Sequence, residues 1–315
     1  MSMPPVYLGR TLDTALRFPS RPSPVAMQTV LTIAGFDPSS GAGISADLMV
    51  FAAHGLFGTA CITGLTVQST VGVRPAHPVE ASVVGATLDC LQEDLPPVGI
   101  KIGMLSSSNN IRVISSYIEK LRLTDRDISG HVIIVLDPVL RSSSGRELVD
   151  YAGVELLRER LFPLVDWVTP NIEELAILSD LKIAGRDDLP AACWTLQNRT
   201  AQLPGGRLGI VATGGHLDPP DDFLLTPSGE EIWLPGERVE TRSTHGTGCA
   251  FSSAFLSRLV LGDSPADAAR GAKLYVAEAM RTAVGRGLGN GPLNHLWPFD
   301  QPNIEVSDAA ERSAG

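Results

Sequence analysis

Between Thr29 and Val284 short apolar runs alternate with stretches of helical period, and this alternation constrains the fold more than any other feature of the chain. Thr29-Val-Leu-Thr-Ile-Ala34 reads as a buried strand, Gly35 to Gly43 as the turn after it, and Ile44 to His54 as a helix closed by Gly55. Phe57 to Thr63 is a second strand, and Glu80 to Leu95 a helix stopped by Pro96-Pro97. Val98 to Met104 and His131 to Leu136 are further strands, with a helix around Ile111 to Leu121 between them. Trp167-Val168 leads through Thr169-Pro170-Asn171 into a short helix ending at Leu178, and Leu208 to Ala212 is again a buried strand. Near-continuous apolar runs belong to strands covered on both faces, so the chain reads as an α/β protein with a mostly parallel central sheet. Phe223 to Leu225, Ile232 to Leu234 and Arg238 to Thr241 are short and punctuated by Ser228-Gly229 and Pro235-Gly236, which predicts a short antiparallel edge. Residues 27 to 299 form the expected domain. Residues 1 to 26 carry Arg10, Arg17, Arg21 and several prolines without an apolar core segment, and read as a disordered extension rather than a secretory signal; residues 300 to 315 read as a disordered tail.

In an open parallel sheet, ligands bind beyond the carboxyl ends of the strands. The Gly35 to Gly43 turn, Met104, Asp137-Pro138, Asn171 to Glu174, Gly214-Gly215 and Thr244 to Cys249 all follow strands and should converge on one rim. The last of these carries the sharpest chemical signal. After Thr244-His-Gly-Thr-Gly-Cys249, apolar residues recur at Phe251, Ala254, Phe255, Leu259 and Val260, and Gly262 closes the run, so the two glycines lie at a helix start. There the first-turn N–H groups lack partners and the positive end of the dipole points outward, which makes Gly246, Thr247, Gly248 and Cys249 a cradle for an anion such as a phosphoryl group. The same field is expected to lower the pKa of the Cys249 thiol and favour a thiolate able to act as base or nucleophile. The competing reading is that the glycines merely begin a helix in which Cys249 is a small packed residue. Downstream, Ser264-Pro265-Ala266-Asp267 reads as a capping box opening a helix to about Val284.

Composition narrows the ligand. A net charge of −10 without Lys/Arg runs argues against nucleic acid or an anionic membrane as partner and leaves a small molecule. Cys61, Cys90, Cys193 and Cys249 show no Cys-x-x-Cys spacing, which fits reduced thiols in a cytoplasmic protein. No stretch approaches the ~20 apolar residues a spanning helix needs.

Seven segments in order carry a resemblance: Ala34-Gly-Phe-Asp-Pro-Ser-Ser-Gly-Ala-Gly-Ile-Ser-Ala-Asp-Leu48, Leu65-Thr-Val-Gln-Ser-Thr70, Lys101-Ile-Gly-Met-Leu105, Asp137-Pro-Val139, Thr169-Pro-Asn-Ile-Glu-Glu174, Gly214-Gly-His-Leu217 and Thr244-His-Gly-Thr-Gly-Cys249. Together they resemble the hydroxymethylpyrimidine/phosphomethylpyrimidine kinases of thiamine biosynthesis, over roughly Thr29 to Phe299. That resemblance implies a three-layer ribokinase-like fold, and ATP-dependent phosphorylation of a pyrimidine hydroxymethyl group and then of the monophosphate. It implies a homodimer, with ATP as co-substrate and Mg²⁺ as cofactor. By the same resemblance Cys249 is the base, Gly246, Thr247 and Gly248 complete the anion hole, and Gln68, Gly35, Asp47, Met104 and Val139 surround the pyrimidine. Asn171, Thr213, Gly215 and Thr244 would line the nucleotide, and Glu174 and Asp137 would organise the metal. An amide at Gln68 offers a donor and an acceptor together, which suits an aminopyrimidine edge. Two residues keep a second reading: Asp47 as a first-turn or capping carboxylate, and Asp137 as a strand end. The chain departs from the family pattern at Phe36, Ser40, Thr213 and the loop Leu140 to Gly145. A pyridoxal, pyridoxine or pyridoxamine kinase on the same fold, and a non-catalytic pyrimidine sensor, are the competing functions.

Overall fold

The computed structural model describes residues 27–124, 131–141, 145, 148, 151–201 and 207–300; the expected extension over residues 1 to 26 and the tail after 300 lie outside them. In chain order the elements are β1 (Thr29–Phe36), α1 (Gly43–Ala53), β2 (Phe57–Ser69), β3 (Gly72–Pro78), α2 (Ala81–Asp94), β4 (Gly99–Ile102), α3 (Ser108–Thr124), β5 (Ile133–Leu136), α4 (Tyr151–Leu156), β6 (Trp167–Val168), α5 (Ile172–Ser179), α6 (Leu189–Thr200), β7 (Gly209–Ala212), β8 (Asp222–Leu225), β9 (Glu231–Leu234), α7 (Thr247–Val260) and α8 (Pro265–Arg281). The sheet order is β3-β2-β1-β4-β5-β6-β7-β8-β9. From β2 to β7 neighbours pair in parallel, and β3, β8 and β9 add antiparallel edges.

β1 is buried on both faces because its alternate residues feed two cores. Leu31 and Ile33 join Val84, Leu88, Ile114, Ile118, Leu175 and Leu196 from α2, α3, α5 and α6. Val30 faces the other way, toward Val50, Phe51, Phe251, Phe255, Ala268 and Ala272 from α1, α7 and α8. Each fully buried Phe or Leu in these layers stabilises by about 1.5–3 kcal/mol relative to exposure. Phe255 of α7 also meets Trp167 edge to face at 5.3 Å, which fixes α7 against the strand ends.

Three expectations differ from the structure. β2 does not stop at Thr63: it continues to Ser69 and turns back into β3, its outer half alternating between more and less exposed residues. Arg238 to Thr241 is not a strand; Arg238 instead donates through its guanidinium to the Leu217 carbonyl at 2.6 Å. At α8, Pro265 takes the first turn and the Ser264 hydroxyl accepts the Asp267 N–H at 3.2 Å, but the Asp267 carboxylate meets that same hydroxyl at 2.7 Å and the helix ends at Arg281.

Candidate active site

The strand ends deliver the expected loops to one rim. β1 ends at Phe36, and the chain turns through Asp37, whose carbonyl accepts the Ser40 N–H at 3.1 Å. Ser40 takes a left-handed φ of 59°, a conformation uncommon for a residue that carries a Cβ. The loop then runs against the start of α7. Gly246 caps that helix at φ 88°, and no side chain caps it, so the amides of its first turn have no intrahelical partner. A Cβ on Gly246 would stand 1.8 Å from the Gly41 carbonyl oxygen, so the glycine is required both by its φ and by this approach. Gly248 is exposed, and Asp137 is the nearest group to the place its side chain would take, at 3.7 Å.

Cys249 lies between two helix starts: its own, and that of α1, whose Gly43 N–H donates to the sulfur. The expected lowering of the thiol pKa does not hold. Although Cys249 is only part-buried as a residue, burial of its thiol pushes the pKa up to about 12, overcoming the opposing charge of Lys101. Loss of water around the sulfur outweighs the helix field.

Asp47 is the fifth residue of α1, beyond its first turn, and is fully buried beneath the rim. Its carboxylate accepts Lys101 Nζ on both oxygens at 3.0 Å, the Thr32 hydroxyl at 2.6 Å and the Ser253 hydroxyl at 2.8 Å. Thr32 and Lys101 are register partners on neighbouring strands, which places both on the face that meets α1 and α7. Burial alone would lower the Lys101 pKa, but the charge of Asp47, followed by Cys249 and Asp137, raises it. Lys101 was given no role in the sequence reading; the available signal was a lone cation inside the otherwise apolar run Gly-Ile-Lys-Ile. Lys101→Met should cost about 3–5 kcal/mol in denaturant unfolding by stranding a buried carboxylate, and Lys101→Met with Asp47→Leu should recover much of it. A single variant as stable as wild type would show that the pair contributes no net stability.

Asp137 and Glu174 form the second cluster. Glu174 and Asn171 make a reciprocal capping box at α5, Asn171 N–H donating to Glu174 Oε2 and Glu174 N–H to Asn171 Oδ1, both at 3.0 Å. Glu174 Oε1 accepts the Leu140 N–H at 3.2 Å. Burial and then the charge of Asp137 raise the Glu174 pKa; burial likewise raises that of Asp137 against the pull of Lys101. Two buried acids that repel each other fit a nearby divalent cation, which would stabilise both charges. Among the described residues no group of three or more His, Cys, Asp or Glu side chains is placed to hold a metal ion. Val139, a β-branched residue at φ 38°, donates its N–H to Asp137 and holds that turn in a strained conformation.

Gly35 and Met104 meet: a Cβ on Gly35 would fall 2.1 Å from Met104 Cε. Gln68 reaches His245, next to the cradle, at 2.9 Å between their Nε2 atoms. Thr213 joins Asn171 by a β-bridge, whereas Gly215 and Thr244 stand exposed, with open space where a Gly215 side chain would project. Asp37 and His245 were quoted within motifs but assigned no role.

A family model described as phosphomethylpyrimidine kinase matches residues 37–294, most of the chain, including the rim from Asp37 onward. The chain belongs to the phosphomethylpyrimidine kinase family. It is 33% identical to the hydroxymethylpyrimidine/phosphomethylpyrimidine kinase of Haemophilus influenzae over 87% of this chain and 98% of that one. It is 35% identical, over 94% of its length, to the thiamine biosynthesis bifunctional protein ThiED of Geobacter sulfurreducens, of which it spans 57%. Among solved structures, a phosphomethylpyrimidine kinase of Clostridium difficile superposes with a TM-score of 0.65 at 34% identity, over 80% of this chain and 99% of that one. The pyridoxal kinase of Staphylococcus aureus with ADP gives 0.75 at 27% identity, over 88% and 96%. The ribokinase-like fold is thereby shared with kinases of two vitamin heterocycles.

Proposed function

We propose that this phosphomethylpyrimidine kinase family member transfers the γ-phosphoryl group of ATP to 4-amino-5-hydroxymethyl-2-methylpyrimidine, and then to its monophosphate. One observation carries the reading: Gln68, the pyrimidine-matching amide, touches the residue that precedes the uncapped Gly246 to Cys249 turn. A heterocycle held at Gln68 therefore has its hydroxymethyl group beside an anion cradle.

Phosphoryl transfer asks for positioning and charge neutralisation more than for covalent help from the protein. The α7 amides neutralise the transferring oxygens, and Asp137 and Glu174 would hold Mg²⁺ through phosphates and water. When bound, that ion neutralises phosphate charge. The substrate oxygen bonds to the γ-phosphorus as the bond between that phosphorus and the β,γ-bridging oxygen breaks, ADP leaves, and the hydroxyl proton passes to the thiolate form of Cys249. Gly35, Met104 and Val139 would line the ring, Asp47 would act from below through Lys101, and Asn171, Thr213, Gly215 and Thr244 would face the nucleotide. One kinase domain over residues 27 to 299 accounts for all of these groups. A homodimer is supported by Leu65, Val67 and Val71, apolar and exposed along the β2–β3 hairpin. Four free cysteines, and the lack among the described residues of a helix long and apolar enough to cross a membrane, support a cytoplasmic setting.

The pyridoxal kinase likeness makes that activity the second reading. A pure sensor has no need of an open phosphoryl cradle. Purified protein with ATP, Mg²⁺ and each heterocycle in turn, followed by ADP release, separates them: faster turnover of pyridoxal than of the pyrimidine overturns the proposal, and no turnover of either supports the sensor. Gln68→Leu should weaken pyrimidine binding by on the order of 2 kcal/mol, through polar groups left unpaired, while sparing ATP. An unchanged KM for every heterocycle would remove Gln68 from the site.

A further inference from the structure

We propose that Asp37 and His245 are a positioning pair that fixes which end of the Gln68 amide faces the substrate; this rests on the reading of Gln68 as the heterocycle contact. His245 Nε2 lies 2.7 Å from Asp37 Oδ2 and 2.9 Å from Gln68 Nε2. One ring nitrogen cannot satisfy both, because a carboxylate only accepts and an amide NH₂ only donates.

Asp37 decides the conflict. Its Oδ1 accepts the Ser39 N–H and hydroxyl at 2.8 and 2.7 Å, and its Oδ2 accepts the Gly41 and Ala42 N–H groups at 3.2 and 3.0 Å besides His245. Burial would raise its pKa, but the hydrogen bonds from His245 and Ser39 bring it below the usual carboxylate value. Four of its donors, the Ser39 N–H and hydroxyl and the Gly41 and Ala42 N–H groups, do not involve the imidazole, and they hold Asp37 as an ionised carboxylate that accepts only. The proton on the imidazole then sits on Nε2, and the carbonyl oxygen of Gln68 is the end that turns toward it. Oxygen and nitrogen of a side-chain amide are told apart by such networks, not by shape.

The imidazole is held in place by its surroundings. It lies on Gly41, where a Cβ would stand 2.2 Å from His245 Cδ2, and the backbone N–H of His245 donates to the Gly291 carbonyl at 3.1 Å. Beyond His245 the Gln68 amide has no partner among the described residues. Its NH₂ and the second lone pair of its oxygen are therefore offered in one fixed order. The ligand class that fits is an aminoazine, with a ring-nitrogen acceptor at the NH₂ and an exocyclic N–H donor at the oxygen. An isostere with C–H in place of that ring nitrogen is rejected.

Two measurements on the full chain test the pair. In ¹⁵N–¹H spectra of histidine-labelled protein, with His245 assigned by difference from His245→Phe, the wild type should show the Nε2–H form; an Nδ1–H form overturns the proposal. In steady-state assays His245→Phe, which keeps a ring on Gly41 but deletes the N–H, should raise the aminopyrimidine KM by about tenfold or more, with a much smaller change in kcat and in the KM for ATP. His245→Gln, which can return an N–H near the Nε2 position, should restore most of that loss. Equal KM values in wild type and His245→Phe overturn the pairing even if His245→Gln is active. If the wild type turns over no aminopyrimidine, the functional reading falls, and the tautomer spectrum alone supports or overturns the Asp37–His245 pair.

Discussion

Cys249→Ala is expected to lower kcat by roughly 10²- to 10⁴-fold, the usual worth of a positioned base, with ATP affinity near wild type because the cradle is made of backbone amides. The pH profile carries a second, independent expectation. Burial holds the thiol at about 12, well above the assay range, so the active thiolate is a small fraction that grows tenfold with each pH unit. Wild-type kcat should therefore climb from about pH 6 to about pH 9 without a neutral plateau, and the alanine variant should lose that slope. The opposite expectation, a thiol already ionised at neutral pH, would give a plateau and an acidic limb. A variant within a few fold of wild type that keeps the wild-type slope would remove Cys249 from the chemistry. The α7 amides and the Asp137–Glu174 pair would then be the main contributors.

Gly246→Ala should damage the site through both its backbone angle and a backbone clash. At φ 88° an alanine pays about 1–2 kcal/mol for the left-handed backbone alone. Its Cβ would also stand 1.8 and 2.8 Å from the Gly41 oxygen and carbon, both backbone atoms that cannot rotate aside. The Gly41 loop and the α7 start must separate, which misaligns the cradle and moves the seat of His245 together. Since one lost oxyanion donor costs about 10²–10³ in rate, kcat/KM should fall at least about 10²-fold. Gly285→Ala, where nothing lies within 4 Å of the added carbon, is the matched control. Comparable activity in both variants would show that the cradle does not depend on this contact.

Much of the fold was legible because its signals are local. The apolar runs of β1, β4 and β5 and the glycine-led start of α7 appear within a few residues of sequence, and the strand-end rule then places the loops on one rim. The β2–β3 hairpin was harder to see. Its outer half, Leu65 to Ser69, is half-exposed and so lacks the continuous apolar run that marks the parallel strands. Arg238 to Thr241 misled for the converse reason: it has strand-like composition but joins no ladder among the described residues, and a strand exists only where a neighbour completes its ladder.

The sequence by itself determined the layered architecture, the helix start that presents its amides, and the residue types available for phosphoryl transfer. The tertiary structure alone decided how those residues are charged and oriented. Gln68 and His245 meet across 177 positions and His245 and Asp37 across 208, so no local pattern could assign the proton between them. Asp47, a rim candidate by sequence, is the buried partner of Lys101 because α1 packs on β1 while α7 packs on α1 and β4, which removes both side chains from water and leaves each as the other's ion-pair partner. Cys249 shows the same division most sharply. A helix start predicts an acidic thiol from sequence, but desolvation depends on every group that packs around the sulfur, and here it prevails over the helix field and sets the thiol high.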